Sequence, residues 1–212
     1  MSHTLHRRGT PENLAHDFPM HAMPARGFNH EGAQPKLQEF LRIAHGNNPV
    51  NLGDVKLGNQ FVTDYDELHE KLTISSTHAV LANESDLVTL LQEVKEAELG
   101  MSLTISGLFD KLFACCAHAG IQPHAVEHSL GVLGKTEKMP ENEIAQVTSM
   151  CGHAMVAQGL VRRLIRQVKK GTITPEEAGV ELAKPCRCGI FNPVRAATLI
   201  DEYCALYTVS DR

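Results

Sequence analysis

The segment Pro185-Cys186-Arg187-Cys188-Gly189-Ile190-Phe191-Asn192-Pro193 constrains this chain most, read together with Met150-Cys151-Gly152-His153. Prolines at both ends and a glycine beside the second cysteine forbid a continuous helix or a central strand there. The C-x-C pair must therefore sit in a bent loop between two helices. A C-x-H pair in a second bend supplies further soft or borderline donors, the kind that zinc and iron-sulfur centres use. The spacing matches neither C-x2-C nor H-x3-H, so it points to a metal more strongly than to any one metal.

Composition bounds the alternatives. The chain has 212 residues, 42% of them apolar and 21% charged, enough to bury a core as one domain or two small ones. A formal charge of -5 argues against a nucleic-acid partner, which asks for a basic surface or stripe. The stretch from Met1 to Arg8 carries charge with no apolar run behind it, and no window has the length of a membrane span, so a cytoplasmic protein with no membrane partner is expected. Six cysteines in that setting read as thiols or ligands rather than as a disulfide framework. Twelve histidines against three tyrosines and no tryptophan add weight to metal or proton-transfer chemistry.

Three parts are expected. Residues 1–36 show neither helical nor strand period and are dense in His, Pro, Gly and Met, which predicts an irregular arm lying along the body, over a site or as a leader. Residues 37–138 read as an α/β domain with a small mixed or parallel sheet. Leu37, Phe40, Leu41 and Ala44 mark a first helix, 50–57 a strand-like segment, 64–72 a short helix, and 72–81 a β-rich run. Leu87, Leu90, Leu91, Val94 and Ala97 recur at the 3.6 period behind an Asn83 or Ser85 cap. Residues 101–106, 108–119 and 124–133 then read as a β-α-β unit with parallel strands. In such a unit ligands gather at the strand carboxyl ends, here Ser106 and Gly107, where the following helix offers N–H groups to an anion.

Residues 139–212 are expected to be all-helical. Helices are placed at 141–148, 154–170, 175–183 and from Asn192 to about Tyr207, with Thr174-Pro175-Glu176-Glu177 as a capping box. Helix starts near Cys151 and Cys188, with Arg187 and Arg195 close by, would favour an anionic centre. Cys204 falls on the Ala197, Ile200 stripe as a core thiol. Cys115 and Cys116 continue the apolar stripes of their own helix, and His118 beside them keeps a ligand role open.

The ligand set is thus Cys151, Cys186 and Cys188, with His153, Cys116 or an exogenous group in fourth place. A closed set suits zinc, and three cysteines with an open position suit a [4Fe-4S] cluster. The favoured expectation is an iron-sulfur enzyme doing lyase or redox chemistry on a small polar or anionic substrate, with His124, His128, His30 and Arg195 as acid, base and anchor. Two other readings stand beside it: a non-enzymatic, zinc-stapled interaction module, and a metal-free metabolite binder built on the β-α-β crevice. A homo-oligomer is compatible with all of them.

Two motif resemblances fail on detail. Gly134-Lys135-Thr136 lacks the upstream P-loop glycine, because Ser129 stands there. His124-Ala125-Val126-Glu127-His128 has the H-x-x-E-H spelling, but that motif needs a helix. As a strand it would put His124, Val126, His128 and Leu130 on one face, facing a site or buried in the core. The cations Arg162, Arg163, Arg166, Lys169 and Lys170 complement a helix C-terminus and read as a solvated face.

Overall fold

The computed structural model describes residues 4–74 and 76–206. They form α1 (Pro11–Leu14), β1 (Phe18–Met23), α2 (Ala33–Gly46), β2 (Asn51–Asp54), β3 (Gly58–Asn59), α3 (Tyr65–Lys71), β4 (Thr77–Leu81), α4 (Glu84–Glu96), β5 (Ser102–Ile105) and α5 (Phe109–His118). Then follow α6 (Asn142–Thr148), α7 (Gln158–Lys169), α8 (Pro175–Ala183) and α9 (Pro193–Leu206). The architecture is mixed α/β, a five-stranded sheet followed by a helical C-terminal layer.

The sheet runs in the order β3-β2-β4-β1-β5 and every pairing in it is antiparallel. This corrects the expected parallel arrangement. The β-α-β unit does not exist, because 124–133 forms no strand: it is an exposed irregular segment. Among the described residues β5 pairs only with β1 and so leaves an edge free, yet this segment does not take it. β5 is the outer strand, alternating exposed and half-buried.

The supposed irregular arm is corrected too. Its residues Phe18–Met23 make β1, inserted between β4 and β5 with Phe18 opposite Leu81 and Met20 opposite Ala79 and Ile105. Five of those six residues are buried, so the strand has no exposed face to generate an alternating pattern.

One sheet face carries Phe18, Met20, Ala22, Leu52, Ala79 and Leu81, which pack with α2 and α4. α2 contributes Leu37, Phe40, Leu41 and Ile43, each at most 2% exposed. Burying one such side chain stabilises by roughly 1.5–3 kcal/mol. α4 is capped by Asn83, whose side chain accepts from Asp86 N, and the chain leaves it through two left-handed residues, Glu98 (φ 46°) and Gly100 (φ 62°).

A second core joins α6, α7, α8 and α9 through Val147, Val161, Leu182, Phe191 and Ile200. Here the Thr174 capping box forms as read, and Asn192 caps α9 by accepting from Arg195 N at 2.9 Å. The end of α9 near Tyr207 lies outside the described residues. α8 and α9 lie so close that a Cβ on Gly179 would sit closer than 3.0 Å to Pro193 O.

The helical layer meets the sheet along β2 and β3. Asn51 Nδ2 donates to Phe191 O at 2.8 Å, and Asn59 Nδ2 to Ala183 O at 3.0 Å and Cys186 O at 2.9 Å. Gly189 (φ +77°) lies flat on β2, where a Cβ would come closer than 3.0 Å to Leu52 C, Leu52 O and Gly53 N. Glycine is required there twice over, for its left-handed backbone and for the close approach. Among the described residues no helix is long and apolar enough to cross a membrane.

Candidate functional site

Glycine and the two prolines produce the bend expected of the 185–193 segment, and the bend brings three cysteines and one histidine into a row. Cys186 Sγ lies 4.0 Å from Cys188 Sγ, and Cys188 Sγ lies 3.7 Å from His153 Nδ1. The Cys151 thiol donates to Cys186. All three cysteines are buried, at most 2% exposed, while His153 is exposed.

The surroundings of each sulfur are distinctive. Backbone groups of His153 and Met155 beside Cys151, of Phe191 beside Cys186 and of Ile190 beside Cys188 pull each thiol downward in part. The chain reaches Met155 by turning through Ala154, a non-glycine residue at φ 55°. Such a backbone conformation is costly and recurs at functional sites. Peptide N–H donors favour thiolate over thiol, as they favour any anion.

These sulfurs do not ionise alike. Cys151 is raised above its usual value, first by donating its hydrogen to Cys186 and then by burial. Cys186 is lowered by accepting from Cys151 but raised by donating to Cys188 and by burial, and ends pushed up to about 12. Cys188, the last acceptor, is held below the ordinary thiol value by the Cys186 hydrogen, against the cost of burial. Cys188 is therefore the member of the row that gives up its proton most readily, and the others give theirs up when a cation takes its place.

Cys151 and His153 do not stand at a helix start, as expected. Cys151 closes the turn after α6, its N–H donating to Thr148 O at 3.1 Å, and α7 begins only at Gln158. Arg187 turns away to Lys56 O at 2.6 Å. Among the described residues no group of three or more His, Cys, Asp or Glu side chains converges as a formed metal site. The cysteines and His153 form a line of pairwise contacts rather than a closed cage.

Other expected site residues scatter. Cys116 packs half-buried against the first core on α5, and burial raises its thiol. Cys115 beside it turns its sulfur toward Glu84 O at 3.9 Å, and Cys204 turns toward Ile165 O at 3.9 Å, as a core thiol would. His30 and His124 are exposed and apart from the cysteine row.

Arg195 is 3% exposed and structural. It holds Asp17 Oδ2 at 3.0 Å, while Arg7 Nη1 reaches both Asp17 oxygens at 2.5 Å and Asn192 Nδ2 reaches Oδ1 at 3.1 Å. Arg7 Nη2 continues to Met150 O at 3.2 Å and to Ile190 O, next to Cys151 and two residues beyond Cys188. Sequence reasoning missed Arg7 and Asp17 because it took their segment for a loose arm.

Ser106, Gly107 and His128 do come together. They line a cavity of about 300 Å³ whose floor includes Arg7 and Asp17. His128 arrives there from the irregular segment, not from a strand. His21 and His78, also missed, are cross-strand partners stacked at 5.7 Å, buried on the sheet face opposite α2 and α4. His78 pairs with Gly53, the residue on which Gly189 rests. No alternating pattern marks them, because β1 and β4 are buried on both faces.

Comparison with known proteins returned no match to a family model, to a curated protein or to a solved structure.

Proposed function

We propose that this chain is a metalloprotein whose Cys151, Cys186, Cys188 and His153 take one divalent ion of the zinc type. One observation carries the reading: two separate bends bring three buried cysteines and one histidine into a single row of contacts, the donor types that zinc takes. The contact lengths support a single ion. Bonds of about 2.3 Å to sulfur and 2.0–2.1 Å to nitrogen in a tetrahedron give edges of roughly 3.8 Å and 3.6 Å. The row has 4.0 Å between Cys186 and Cys188 and 3.7 Å between Cys188 and His153. Side-chain rotation would close the line into a cage, and the ion would staple the post-α6 turn to the loop that docks on β2.

A [4Fe-4S] enzyme is the second reading. It is favoured by His153 being exposed, and so a replaceable fourth ligand, and by Arg7, which joins both cysteine-bearing segments to the cavity floor. Against it, a cluster spreads its cysteines over separate irons, farther apart than a bridge across one ion.

Anaerobic purification with metal and sulfide analysis tests both. Stoichiometric zinc without colour, lost in Cys186→Ser, supports the first reading. Iron with matching sulfide and broad visible absorption replaces it with the second. Fresh protein containing neither metal, and failing to take up cobalt(II) with thiolate-to-metal absorption, overturns both.

A further inference from the structure

We infer that the cavity between β5, α5 and the N-terminal segment binds a small organic carboxylate with an apolar body. The inference names the ligand class that the enzymatic reading would need, yet it holds whether or not the cysteine row takes an ion.

The charged floor comes first. Asp17 is saturated: both of its oxygens already accept from Arg7, and Arg195 and Asn192 fill the remaining places. It has no capacity left for a ligand. Two buried guanidinium groups share this one carboxylate, which leaves an excess positive charge in the interior. Such a charge is costly unless an anion complements it.

The donors come second. Arg7 lines the cavity with its side chain only 4% exposed, and its Nε–H is buried without a hydrogen-bond partner among the described residues. A buried guanidinium donor left unpaired is the kind of group a ligand satisfies. The ten-residue α5 begins on the same wall. Its N-cap residue is Leu108, which offers no side-chain cap, so the first N–H groups of the helix are uncapped by side chains beside the cavity. Ser106 adds a hydroxyl, already ordered by Thr4 at 2.6 Å.

The remaining wall decides the class of anion. Leu5, Leu14, Ile105 and Leu112 are apolar, and no lysine lines the space. One guanidinium N–H, one hydroxyl and a helix start suit the two oxygens and single charge of a carboxylate better than a phosphate dianion. The segment carrying Glu127, His128 and Ser129 forms the outer wall, tied to the N-terminal segment by His6 Nδ1 and Ser129 Oγ at 3.0 Å. Glu127 lies there on the exposed side, where it repels a second negative charge and further favours a monoanion. A volume of about 300 Å³ is at the small end of ligand sites.

The test is an amide-resolved NMR titration of the full-length protein with hexanoate, and with hexan-1-ol, hexylammonium and inorganic phosphate as comparators. Saturable shifts of the Gly107 and Phe109 amides with hexanoate alone, at a Kd of about 1 mM or tighter, are expected. Ser106→Ala should weaken binding about tenfold. His128→Ala, in an exposed segment whose change leaves the fold intact, should weaken it several-fold. Absence of saturable shifts, an equal response to the alcohol, the amine or phosphate, or unchanged affinity in both variants would overturn the inference. Metal content is read separately, so this failure cannot be mistaken for that of the metal reading.

Discussion

The two edges of the sheet are treated in opposite ways. At β2 and β3 the helical layer lies directly on the backbone, with Gly189 against Leu52 and Gly53, and Asn51 and Asn59 spending their amides on its carbonyls. At β5 the strand is half-exposed, followed by an uncapped helix and an irregular segment in which Leu130 and Leu133 are more than four-fifths exposed. The closed edge gathers the cysteines and the open edge holds the cavity. Close packing with amides bonded across it suits a staple, whereas an unpaired guanidinium N–H beside an opening suits a ligand that comes and goes.

The largest effect should come from the network that ties the two sides. Asp17→Ala leaves Arg7 and Arg195 buried without their carboxylate, and losses on the order of 3–5 kcal/mol follow when one partner of a buried pair is removed. Urea unfolding measures it; a loss within the error of the fit would mean that the guanidinium groups find solvent.

A matched pair of glycines sharpens the contrast of the edges. Gly189→Ala and Gly131→Ala both force alanine into a left-handed backbone, which costs roughly 1–2 kcal/mol. Only Gly189→Ala also drives a Cβ into β2, while Gly131 has open space around it. Thermal denaturation should therefore show the first variant clearly less stable than the second. Equal melting temperatures would remove the claim that the cysteine loop is clamped to the sheet.

Thiols provide the third comparison. Cys186→Ser should abolish zinc or cobalt binding, whereas Cys116→Ser on α5 should leave it intact, as read by cobalt(II) absorption. Their surroundings differ in kind: the sulfur of Cys186 stands between those of Cys151 and Cys188, while burial alone raises Cys116.

The smallest effect belongs to the surface. The hydrogen bond from Arg162 is the largest cause holding the Glu141 carboxyl below its usual 4.5. A depressed folded-state value stabilises above the unfolded value and is lost as pH falls through the folded one. Arg162→Ala should lower the melting temperature only slightly at pH 7, since exposed pairs contribute little, and converge with the parent as pH falls through the lowered carboxyl value.

Much of the helical layer could be read directly from the chain because its signals are local. The Thr174 box, the Asn192 cap and the Leu87 stripe each depend on residues three or four apart. β1 could not, since its identity depends on β4 and β5, some 60 and 80 residues on, and its burial on both faces erases the alternation. The same blindness promoted 124–133: its period was strand-like, but pairing is not a local property. At the cysteine row the residues were legible from the Pro and Gly bends, while the backbone groups beside Cys151 depend on the turn through Ala154, which no residue type announces.

Asp17 meets Arg195 and Asn192 across about 180 residues of chain. During synthesis β1 leaves the ribosome long before α9, yet one cation and the amide that complete its start, Arg195 and Asn192, come from the first turn of α9 and its cap. Asp17 and β1 must wait, with a carboxylate and a strand rich in apolar side chains exposed, until Asn192 and Arg195 have emerged. Contacts of such separation slow folding and lengthen exposure to aggregation. A ribosome-stalled chain ending before α9 should therefore remain protease-sensitive at β1, so the order of synthesis bears directly on how much protein is recovered.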